Sequence, residues 1–567
     1  MGWPWKFVEH TDAAALQRRH TLDRYAGYAQ LSSFGPVFLV LVYRLAWWTI
    51  RNLDAKRAGY DQVPESPARK ARRKSPLGAW EARYRLFEWW LGEDVCLFGQ
   101  SWGRRDEWLF GLGWGAWMLV LSVLETGDDY LHLTKRVGII GISQLPLQYL
   151  LSLKSLNPIA FVLRSSHEEI NRFHRALGRI IYLLLSLHAV LYLNFFVQMG
   201  NLLLKLTSSR AVQTGLIGIL CFNFLGATAI KTVRIYSYRI FFITHLIVAL
   251  IIPPLIWFHT KHAKIFVIEA LVVFLVDIVS RKLDTVTAEA TFESIPGSSL
   301  VKVTTSIPFH KIQRFRKNPG SHIYLQIPGI SRLSQNPVSK EYLVHEFLFN
   351  PFTVASVDEE NSEISLVARH QNGPTTSTLK QLAAEANSDG SSHVSLAIEG
   401  PYGAVSYYPE LTSGEYDRVL LVSGGVGATF TVPLYRALVT VSSPVKVQLV
   451  WAVANPNDAV WAKDKDGKLL SDDEGVQVFM TGTNGALDPQ DESVELTSIP
   501  DSQEPKYTRT RPDLKKIVDD VFKSGQEERV AVLFCGPTKM GHDLRRHVGV
   551  WVRKGREVFW HSESFEW

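Results

Sequence analysis

Two pairs of histidines with the same spacing constrain this chain more than any other feature. His174 and His188 lie 14 residues apart in one apolar stretch, and His245 and His259 lie 14 apart in another. In an α-helix, a step of 14 residues returns to within about 40° of the same face and rises about 21 Å. If the two helices lie side by side across a bilayer, the four imidazoles form two facing pairs at two depths.

Facing imidazoles at two depths predict two haem sites. Each pair supplies two axial nitrogens to one iron, so we expect the chain to hold two b-type haems. An isolated histidine on an apolar helix is more often a hydrogen-bonded core residue than a ligand. A polar side chain in hydrocarbon is costly, however, and the duplicated spacing on two separate helices favours ligands.

One neighbouring histidine is an alternative for the ligand farther along the second helix. His262 follows His259 by three residues, and its spacing of 17 from His245 rotates it away from the face that His245 occupies. Pro253 and Pro254 lie inside the same stretch, and prolines bend a helix and alter its register. The spacing therefore favours His259 and leaves His262 open.

The chain divides into an apolar half and a mixed half. Its 567 residues are 46% hydrophobic, but the long apolar stretches all precede residue 283, so we expect a tail over 1–26 and a membrane α-helical bundle over 27–283. Beyond residue 283, short Val- and Ile-rich runs alternate with glycine and proline turns, as in a soluble domain. About seven stretches approach the length that a bilayer requires: 28–50, 107–124, 137–153, 173–197, 211–230, 238–258 and 263–279.

Basic residues predict how these spans are oriented. Lysines and arginines concentrate in the loops around 51–74, 154–172 and 231–239, and such loops are typically cytoplasmic. This orientation places the second half of the chain in the cytosol. The expected membrane is the plasma membrane or that of the endoplasmic reticulum. The basic run 69–74 favours solvent or anionic lipid over nucleic acid, because the net charge is only +6.

The second half contains a pattern that predicts dinucleotide binding. Residues 419–429 indicate a buried strand, a turn containing Gly424, Gly425 and Gly427, and a helix start, so that backbone N–H groups can approach a pyrophosphate. The turn lacks the third glycine of the full fingerprint. Further strands are expected over 445–453 and 530–535, and residues 485–513 have the composition of a flexible insertion.

These features together resemble one family. The segment Phe-His-Arg-Ala-Leu-Gly-Arg at 173–179, the paired histidines and the motifs of the second half resemble the ferric reductase and NADPH oxidase family of membrane flavocytochromes, most of all its fungal metalloreductase branch. The resemblance covers about 137–567. It implies a ferredoxin-reductase-like module after the bundle, with a β-barrel FAD lobe over 284–412 and an α/β NAD(P) lobe over 413–567. It also implies an electron path from cytosolic NADPH through FAD and two haems to an acceptor across the membrane.

The resemblance implies flavin contacts in three segments. His322 lies in a segment that resembles the strand turn before a flavin site, and Arg369 and Thr376 lie where the family binds the flavin pyrophosphate. Taken alone, the segment around Thr376 is an ordinary helix start. Asn350 stands where the family usually has histidine, and it opens the motif that resembles the family's flavin motif. The candidate contacts in that motif are Pro351, Phe352, Thr353 and Ser356.

The resemblance also implies contacts near the nicotinamide. Cys535 would lie close to the hydride path in a turn with Gly536 and Pro537, and the C-terminal Trp567 would stack on the flavin until nicotinamide displaces it. A frayed terminus is the alternative for Trp567. Ala454 stands where related reductases often carry the arginine that contacts the 2′-phosphate. The expectation of NADPH rather than NADH therefore rests on the family resemblance and not on this residue.

The terminal acceptor is the open question. Ferric chelates and dioxygen both react at an outer haem edge, so the chain need not encode the choice. NADPH oxidases often have another histidine four residues past His188, where this chain has Tyr192, which favours a metalloreductase. The alternatives are a superoxide-producing NADPH oxidase and a non-catalytic redox sensor or scaffold. Lipid is the expected partner, and an oligomer or accessory subunits stay open.

Overall fold

The structure is a computed structural model, and it divides into two compact units. One unit is Met1–Asp54 with Trp90–Leu283, and the other is Ala55–Trp89 with Asp284–Glu566. The described residues are 4–9, 11–55, 75–98, 100–331, 349–371, 373–389, 394–409, 411, 415–440, 445–463, 467–482, 507–525 and 528–563.

Among the described residues before 285, all regular structure is helical apart from one small hairpin, which pairs β1 (Asp94–Leu97) with β2 (Gln100–Arg104). Ser166 caps the helix that carries His174 and His188. Its hydroxyl accepts a hydrogen bond from the backbone N–H of Glu169. The helices are α1 (Asp12–Ser32), α2 (Phe34–Ala55), α3 (Pro76–Leu91), α4 (Arg105–Val123), α5 (Tyr130–Ser143), α6 (Leu145–Leu150), α7 (Pro158–Leu163), α8 (His167–Gln198), α9 (Leu202–Ser208), α10 (Arg210–Thr228), α11 (Lys231–Tyr236), α12 (Tyr238–His259) and α13 (Lys264–Asp284).

The expected count of about seven membrane spans is not confirmed. Four segments of the described chain are long and apolar enough to cross a membrane, namely Asp12–Ile50, α8, α10 and α12. The other expected spans are helical but less suited to hydrocarbon. The expected span 137–153 is divided between α5 and the six-residue α6, α4 begins with three charged residues, and α13 carries Glu269 and Asp277.

Regular structure also occurs inside two segments that the sequence set apart as a tail and an insertion. Helix α1 begins at Asp12, inside the expected tail over 1–26, because the hydroxyl of Thr11 caps it by accepting from the N–H of Ala14. In the expected insertion 485–513, residues 507–508 form a strand, and residues 483–506 lie outside the described residues.

The second histidine helix stays regular despite its prolines. Helix α12 includes Pro253 and Pro254 and continues to His259. Many side chains of α8 and α12 are exposed and apolar, such as Leu183 and Ile247. Exposed apolar faces of this kind suit contact with lipid.

A closed six-stranded barrel follows the helical half, as expected for the FAD lobe. The strands lie in the order β3-β4-β7-β6-β5-β8 around the barrel. Helix α14 (Phe309–Lys317) precedes β5, and α15 (Pro374–Asp389) connects β7 to β8. The barrel strands are β3 (Val286–Ser294), β4 (Leu300–Ser306), β5 (His322–Gln326), β6 (Asn350–Asp358), β7 (Glu363–Arg369) and β8 (Val394–Tyr402).

A parallel α/β sheet completes the chain. Its strand order is β12-β11-β10-β9-β13-β14, and every pairing is parallel. The chain leaves β9 in one direction toward β10 and later returns on the other side as β13, so a crevice is expected at the carboxyl ends of β9 and β13. The elements are β9 (Arg418–Gly424), α16 (Ala428–Thr440), β10 (Lys446–Val453), β11 (Val476–Met480), β12 (Tyr507–Thr508), α17 (Leu514–Lys523), β13 (Val530–Cys535), α18 (Thr538–Arg553) and β14 (Val558–Glu563).

An additional helix, which the sequence did not predict, belongs to this α/β sheet. Trp89 of α3 is buried in the core under β9 and β13. Its ring packs edge-on against Trp560, and the guanidinium of Arg545 lies 4.4 Å from the centre of its ring. A Cβ on Gly549 would lie 2.8 Å from its indole nitrogen, so α18 approaches α3 closely at a glycine.

Candidate haem and dinucleotide sites

The structure brings the four spaced histidines together in two pairs. The ring centres of His174 and His245 are 6.1 Å apart, and those of His188 and His259 are 6.2 Å apart. An imidazole nitrogen binds a metal at about 2.0 Å and lies about 1.1 Å from its ring centre, so two axial imidazoles have centres about 6.2 Å apart. Both pairs therefore have the spacing that an iron between the rings requires.

Backbone carbonyls orient three of the four rings. A carbonyl oxygen only accepts hydrogen bonds, so the Nδ1 atom that faces it carries the hydrogen and donates. For His188 and His259, the lone pair of Nε2 is then available to a metal, and the hydrogen bond at Nδ1 makes the ring a better ligand. The Nε2 atom of His174 instead lies 3.2 Å from the side-chain amide nitrogen of Gln148, so this amide must move before His174 binds a metal. The Nδ1 atom of His245 is buried and has no hydrogen-bond partner among the described residues. The three bonds run from His174 to Gln148 (3.0 Å), from His188 to Thr134 (2.7 Å) and from His259 to Ala211 (2.6 Å).

Two glycines make room for the rings of the His188 pair. A Cβ on Gly138 of α5 would lie 2.5 Å from Nδ1 of His188, and a Cβ on Gly215 of α10 would lie 2.6 Å from Cε1 of His259. Such distances are far inside van der Waals contact, so each ring occupies space that only glycine leaves open. Spacing, ring orientation and glycine cradles together fit bis-histidine haem.

The alternative ligand His262 faces elsewhere. It lies in a short 3₁₀ turn after α12, and its Nδ1 atom is 2.7 Å from a carboxylate oxygen of Asp23. The structure places His259, and not His262, opposite His188. Tyr192, four residues past His188, packs edge-on against it with ring centres 5.1 Å apart.

Strand β6 presents the flavin motif on two faces. Phe352 and Val354 pack in the barrel core, whereas Ala355 packs with Val426 of the glycine turn. Successive residues of a strand point to opposite sides. Phe352, which was expected to lie near the flavin, therefore packs against the core of its own barrel.

The other motif residues lie on the opposite face. Pro351 and Thr353 alternate with the core residues and share the face of Ala355. Ser356 follows a register shift that marks a β-bulge, and because Val357 packs in the core, Ser356 also faces away from it. Three of the four motif residues thus share the face that is turned toward the glycine turn.

His322 lies beside this face in a buried aromatic group. It is 1% exposed, and it pairs with Thr353 across β5 and β6. Its ring stacks on Tyr402 with centres 6.1 Å apart. The structure thus brings His322 and Thr353 together, although the sequence separates them by 31 positions.

Local hydrogen bonds engage the hydroxyls near the start of α15. The hydroxyl of Thr376 donates to the carbonyl of Gln371 at 2.8 Å. The side-chain amide of Asn350 donates to the hydroxyl of Thr375. The role expected for Thr376 in flavin binding stays a prediction.

Arg369, the residue expected to bind the flavin pyrophosphate, lies beside the glycine turn. Its Nη2 atom is 3.3 Å from the point that a Cβ on Gly425 would occupy, and Gly425 has a φ of +57°. The Nε atom of Arg369 is buried without a hydrogen-bond partner among the described residues. A guanidinium with an unused buried donor at a glycine turn fits an anion such as a pyrophosphate.

Glycines in the turns after β9 and β13 allow these two turns to pack closely against each other. A Cβ on Gly427 would lie 2.2 Å from the carbonyl oxygen of Cys535, and one on Gly424 would lie 2.5 Å from Cδ of Pro537. A Cβ on Gly536 would lie 2.8 Å from the backbone nitrogen of Gly424. Close packing of the two turns requires these glycines, and the same packing exposes backbone at the crevice.

Cys535 lies at the end of β13 as a buried thiol. It is 5% exposed, and burial, with a smaller contribution from Glu563, raises the pKa of the Cys535 thiol well above its usual range. The thiolate is the nucleophilic form of cysteine. Cys535 is therefore a neutral side chain beside the crevice and not a nucleophile.

Comparison with known proteins assigns three segments of the chain. Residues 137–256 match the ferric reductase like transmembrane component, residues 290–406 match an FAD-binding domain, and residues 416–549 match the ferric reductase NAD binding domain. The three segments occur in this order and cover more than half of the chain. The chain belongs to the ferric reductase family.

Two fungal relatives match most of this ferric reductase. The "Ferric/cupric reductase transmembrane component 2" of Schizosaccharomyces pombe is 21% identical over 459 residues, which are 76% of this chain and 80% of that protein. A "Probable metalloreductase AIM14" of Scheffersomyces stipitis is 23% identical over 540 residues, which are 86% of this chain and 90% of that protein. The FAD-binding and NAD-binding domains and the haem-binding type of membrane domain are those that the motifs predicted.

Several contacts of this ferric reductase could not be read from its sequence. Gly138 and Gly215 look like ordinary small residues of apolar helices until their partners are known. The carbonyls that orient the histidines carry no side-chain signal. Trp567 lies outside the described residues, so its stacking role stays a prediction.

Proposed function

We propose that this chain is a transmembrane ferric-chelate reductase that draws electrons from cytosolic NADPH. The observation that carries the proposal is the presence of two facing histidine pairs in the same chain as an FAD-binding and an NAD-binding domain. Bound FAD would convert the two-electron hydride donor into a one-electron source, and two bound haems would relay the electrons across the membrane.

The chain's own residues would bind, orient and insulate these groups. His174 with His245 and His188 with His259 would ligate the two irons, and neighbouring backbone carbonyls would orient three of the four rings. The face of β6 with Pro351, Thr353 and Ser356, together with His322, would bind the flavin. Arg369 would bind a pyrophosphate. Additional expected contacts are Thr376, Gly424, Gly425, Gly427, Gly536, Pro537 and Trp567.

The proposed topology rests on charge and on chain order. Basic residues around 51–74, 154–172 and 231–239 support a cytosolic side, and the module after Asp284 would lie on that side. About seven spans remain the proposal, with α4, the α5–α6 pair and α13 added to the four apolar segments. The membrane would be the plasma membrane or the endoplasmic reticulum.

Two observations favour ferric chelates over dioxygen as the acceptor. The two fungal relatives are named as a ferric/cupric reductase and a probable metalloreductase. The residue four positions past His188 is Tyr192 rather than histidine, and it packs on His188.

The acceptor is tested with purified full-length protein. A reduced-minus-oxidised spectrum first measures haem, and NADPH is then supplied with a ferric chelate, with and without superoxide dismutase. We expect ferrous iron to form at the same rate with dismutase, and NADPH to be oxidised anaerobically when chelate is present. His188→Ala serves as a control that keeps flavin reduction by NADPH and loses ferric reduction.

Two outcomes would contradict the proposal. If dismutase abolishes ferric reduction and anaerobic protein oxidises no NADPH with chelate present, the chain is a superoxide-producing NADPH oxidase. If NADPH does not reduce the flavin at all, the enzymatic proposal fails and the redox sensor or scaffold replaces it.

A further inference from the structure

A buried carboxylate joins the barrel to the α/β sheet. Asp458 lies in a short 3₁₀ turn, Pro456–Ala459, directly after β10, and it is 7% exposed. One carboxylate oxygen lies 3.1 Å from Nη2 of Arg369, and the other accepts a hydrogen bond of 2.7 Å from the hydroxyl of Ser298. A buried carboxylate is costly unless it is paired. Both partners of Asp458 belong to the barrel.

The same turn forms hydrogen bonds with the barrel at a second point. The side-chain amides of Asn455 and Asn457 donate to the carbonyl of Gly297, at 2.9 and 3.3 Å. Gly297 and Ser298 lie between β3 and β4. The segment that follows Ala454, where relatives often place a phosphate-binding arginine, is thus used here to hold the barrel.

Arg369 retains donors that Asp458 does not use. The contact with Asp458 engages Nη2, whereas Nε is buried and has no hydrogen-bond partner among the described residues. Its side chain is 36% exposed, so one edge of the guanidinium is open. Its Nη2 and Nη1 atoms lie 3.3 and 3.6 Å from the point that a Cβ on Gly425 would occupy, so the missing side chain leaves room beside these two nitrogens.

We propose that Asp458 is a positioning residue that aims the guanidinium of Arg369 at the pyrophosphate of a bound dinucleotide. An arginine side chain is long and flexible, and a charge pair on Nη2 fixes the plane of the guanidinium while Nη1 and the second hydrogen of Nη2 stay free for phosphate oxygens. The ligand is FAD or NADPH, since both carry a pyrophosphate and Arg369 lies between the flavin motif and the glycine turn. This inference rests on the proposed function.

The test replaces Asp458 by asparagine in the full-length protein, because asparagine keeps the size of the side chain and removes its charge. The dissociation constant of FAD is measured by fluorescence of released flavin, and the KM of NADPH is measured with ferric chelate. Loss of one oriented, charge-assisted contact weakens binding about tenfold or more. An effect on FAD alone identifies the flavin pyrophosphate, and an effect on NADPH alone identifies the nicotinamide dinucleotide.

Two results overturn the inference. If Asp458→Asn leaves both affinities unchanged, Asp458 does not act on dinucleotide binding. If Asp458→Asn strengthens the binding of FAD or of NADPH, the carboxylate competes with phosphate for Arg369 instead of positioning it.

A double-mutant cycle separates positioning from general destabilisation. If Asp458 acts only through Arg369, then Asp458→Asn adds no further loss in an Arg369→Ala background. A further loss of similar size in that background means an independent structural role and overturns the inference. Asn457→Ala removes a side-chain amide that donates to the carbonyl of Gly297 and keeps the cap that Asn455 provides to the turn, and we expect it to leave both affinities unchanged.

Further controls keep the test decisive. Asp473→Asn removes a half-exposed carboxylate that pairs with Lys468, and we expect wild-type affinities. If Asp458→Asn fails to fold, Arg369→Lys keeps the charge without the guanidinium fork and should weaken the same ligand; normal affinity would then overturn the inference. Failure of wild-type protein to bind FAD or to oxidise NADPH would instead contradict the proposed function.

Discussion

Replacing Gly215 by alanine tests the haem site through a single methyl group. The new Cβ would lie 2.6 Å from Cε1 and 2.8 Å from Nδ1 of His259. Ordinary contact at such a position begins near 3.4 Å, so the ring must retreat by about 0.6 to 0.8 Å. Metal–ligand distances tolerate only about 0.2 Å.

The retreat also weakens the bond from His259 to the carbonyl of Ala211, which is 2.6 Å in the structure. Loss of that bond frees the ring to rotate and lowers its quality as a ligand. We therefore expect Gly215→Ala to lose the haem at the His188 pair, so that the ratio of haem to protein falls by about half. The other pair, His174 with His245, should keep its haem.

Gly218→Ala is the matched control, one turn farther along α10. Nothing lies within 4 Å of a Cβ at Gly218, and alanine is favoured over glycine inside a helix by about 1 kcal/mol. This variant should retain both haems. The assay is the haem content of purified protein from its reduced-minus-oxidised spectrum. Two haems in Gly215→Ala would refute the proposed arrangement of His259.

Three further predictions concern individual side chains. His188→Ala or His259→Ala should each halve haem content while NADPH still reduces the flavin; loss in His262→Ala instead would move the ligand to that residue. Ala454→Arg should raise the ratio of kcat/KM for NADPH over NADH about tenfold through a charge-assisted contact with the 2′-phosphate, and an unchanged ratio would mean that the phosphate is held elsewhere. The raised pKa of the Cys535 thiol should cost stability at alkaline pH, because above about pH 8.5 the unfolded thiol ionises while the folded one stays protonated. The thermal midpoint of flavin release should therefore fall as pH rises above that value, and Cys535→Ala should flatten the fall; identical slopes would contradict a buried neutral thiol.

The sequence by itself determined the parts of this protein that depend on periodicity. A spacing of 14 residues sets the histidines on one helix face whatever surrounds the helix, and a strand followed by a glycine turn and a helix start identifies the nucleotide lobe. Composition likewise separates an apolar half from a soluble half, because hydrocarbon and water select different residues.

Only the tertiary structure decided which groups meet across the fold. The carbonyls that orient the histidines, the space left by Gly138 and Gly215, and the pairing of Asp458 with Arg369 all join segments far apart in the chain. The placement of Trp89 under β9 likewise depends on a contact across more than 300 residues. Periodicity describes one element at a time, whereas these contacts depend on how separate elements pack, so no local pattern encodes them.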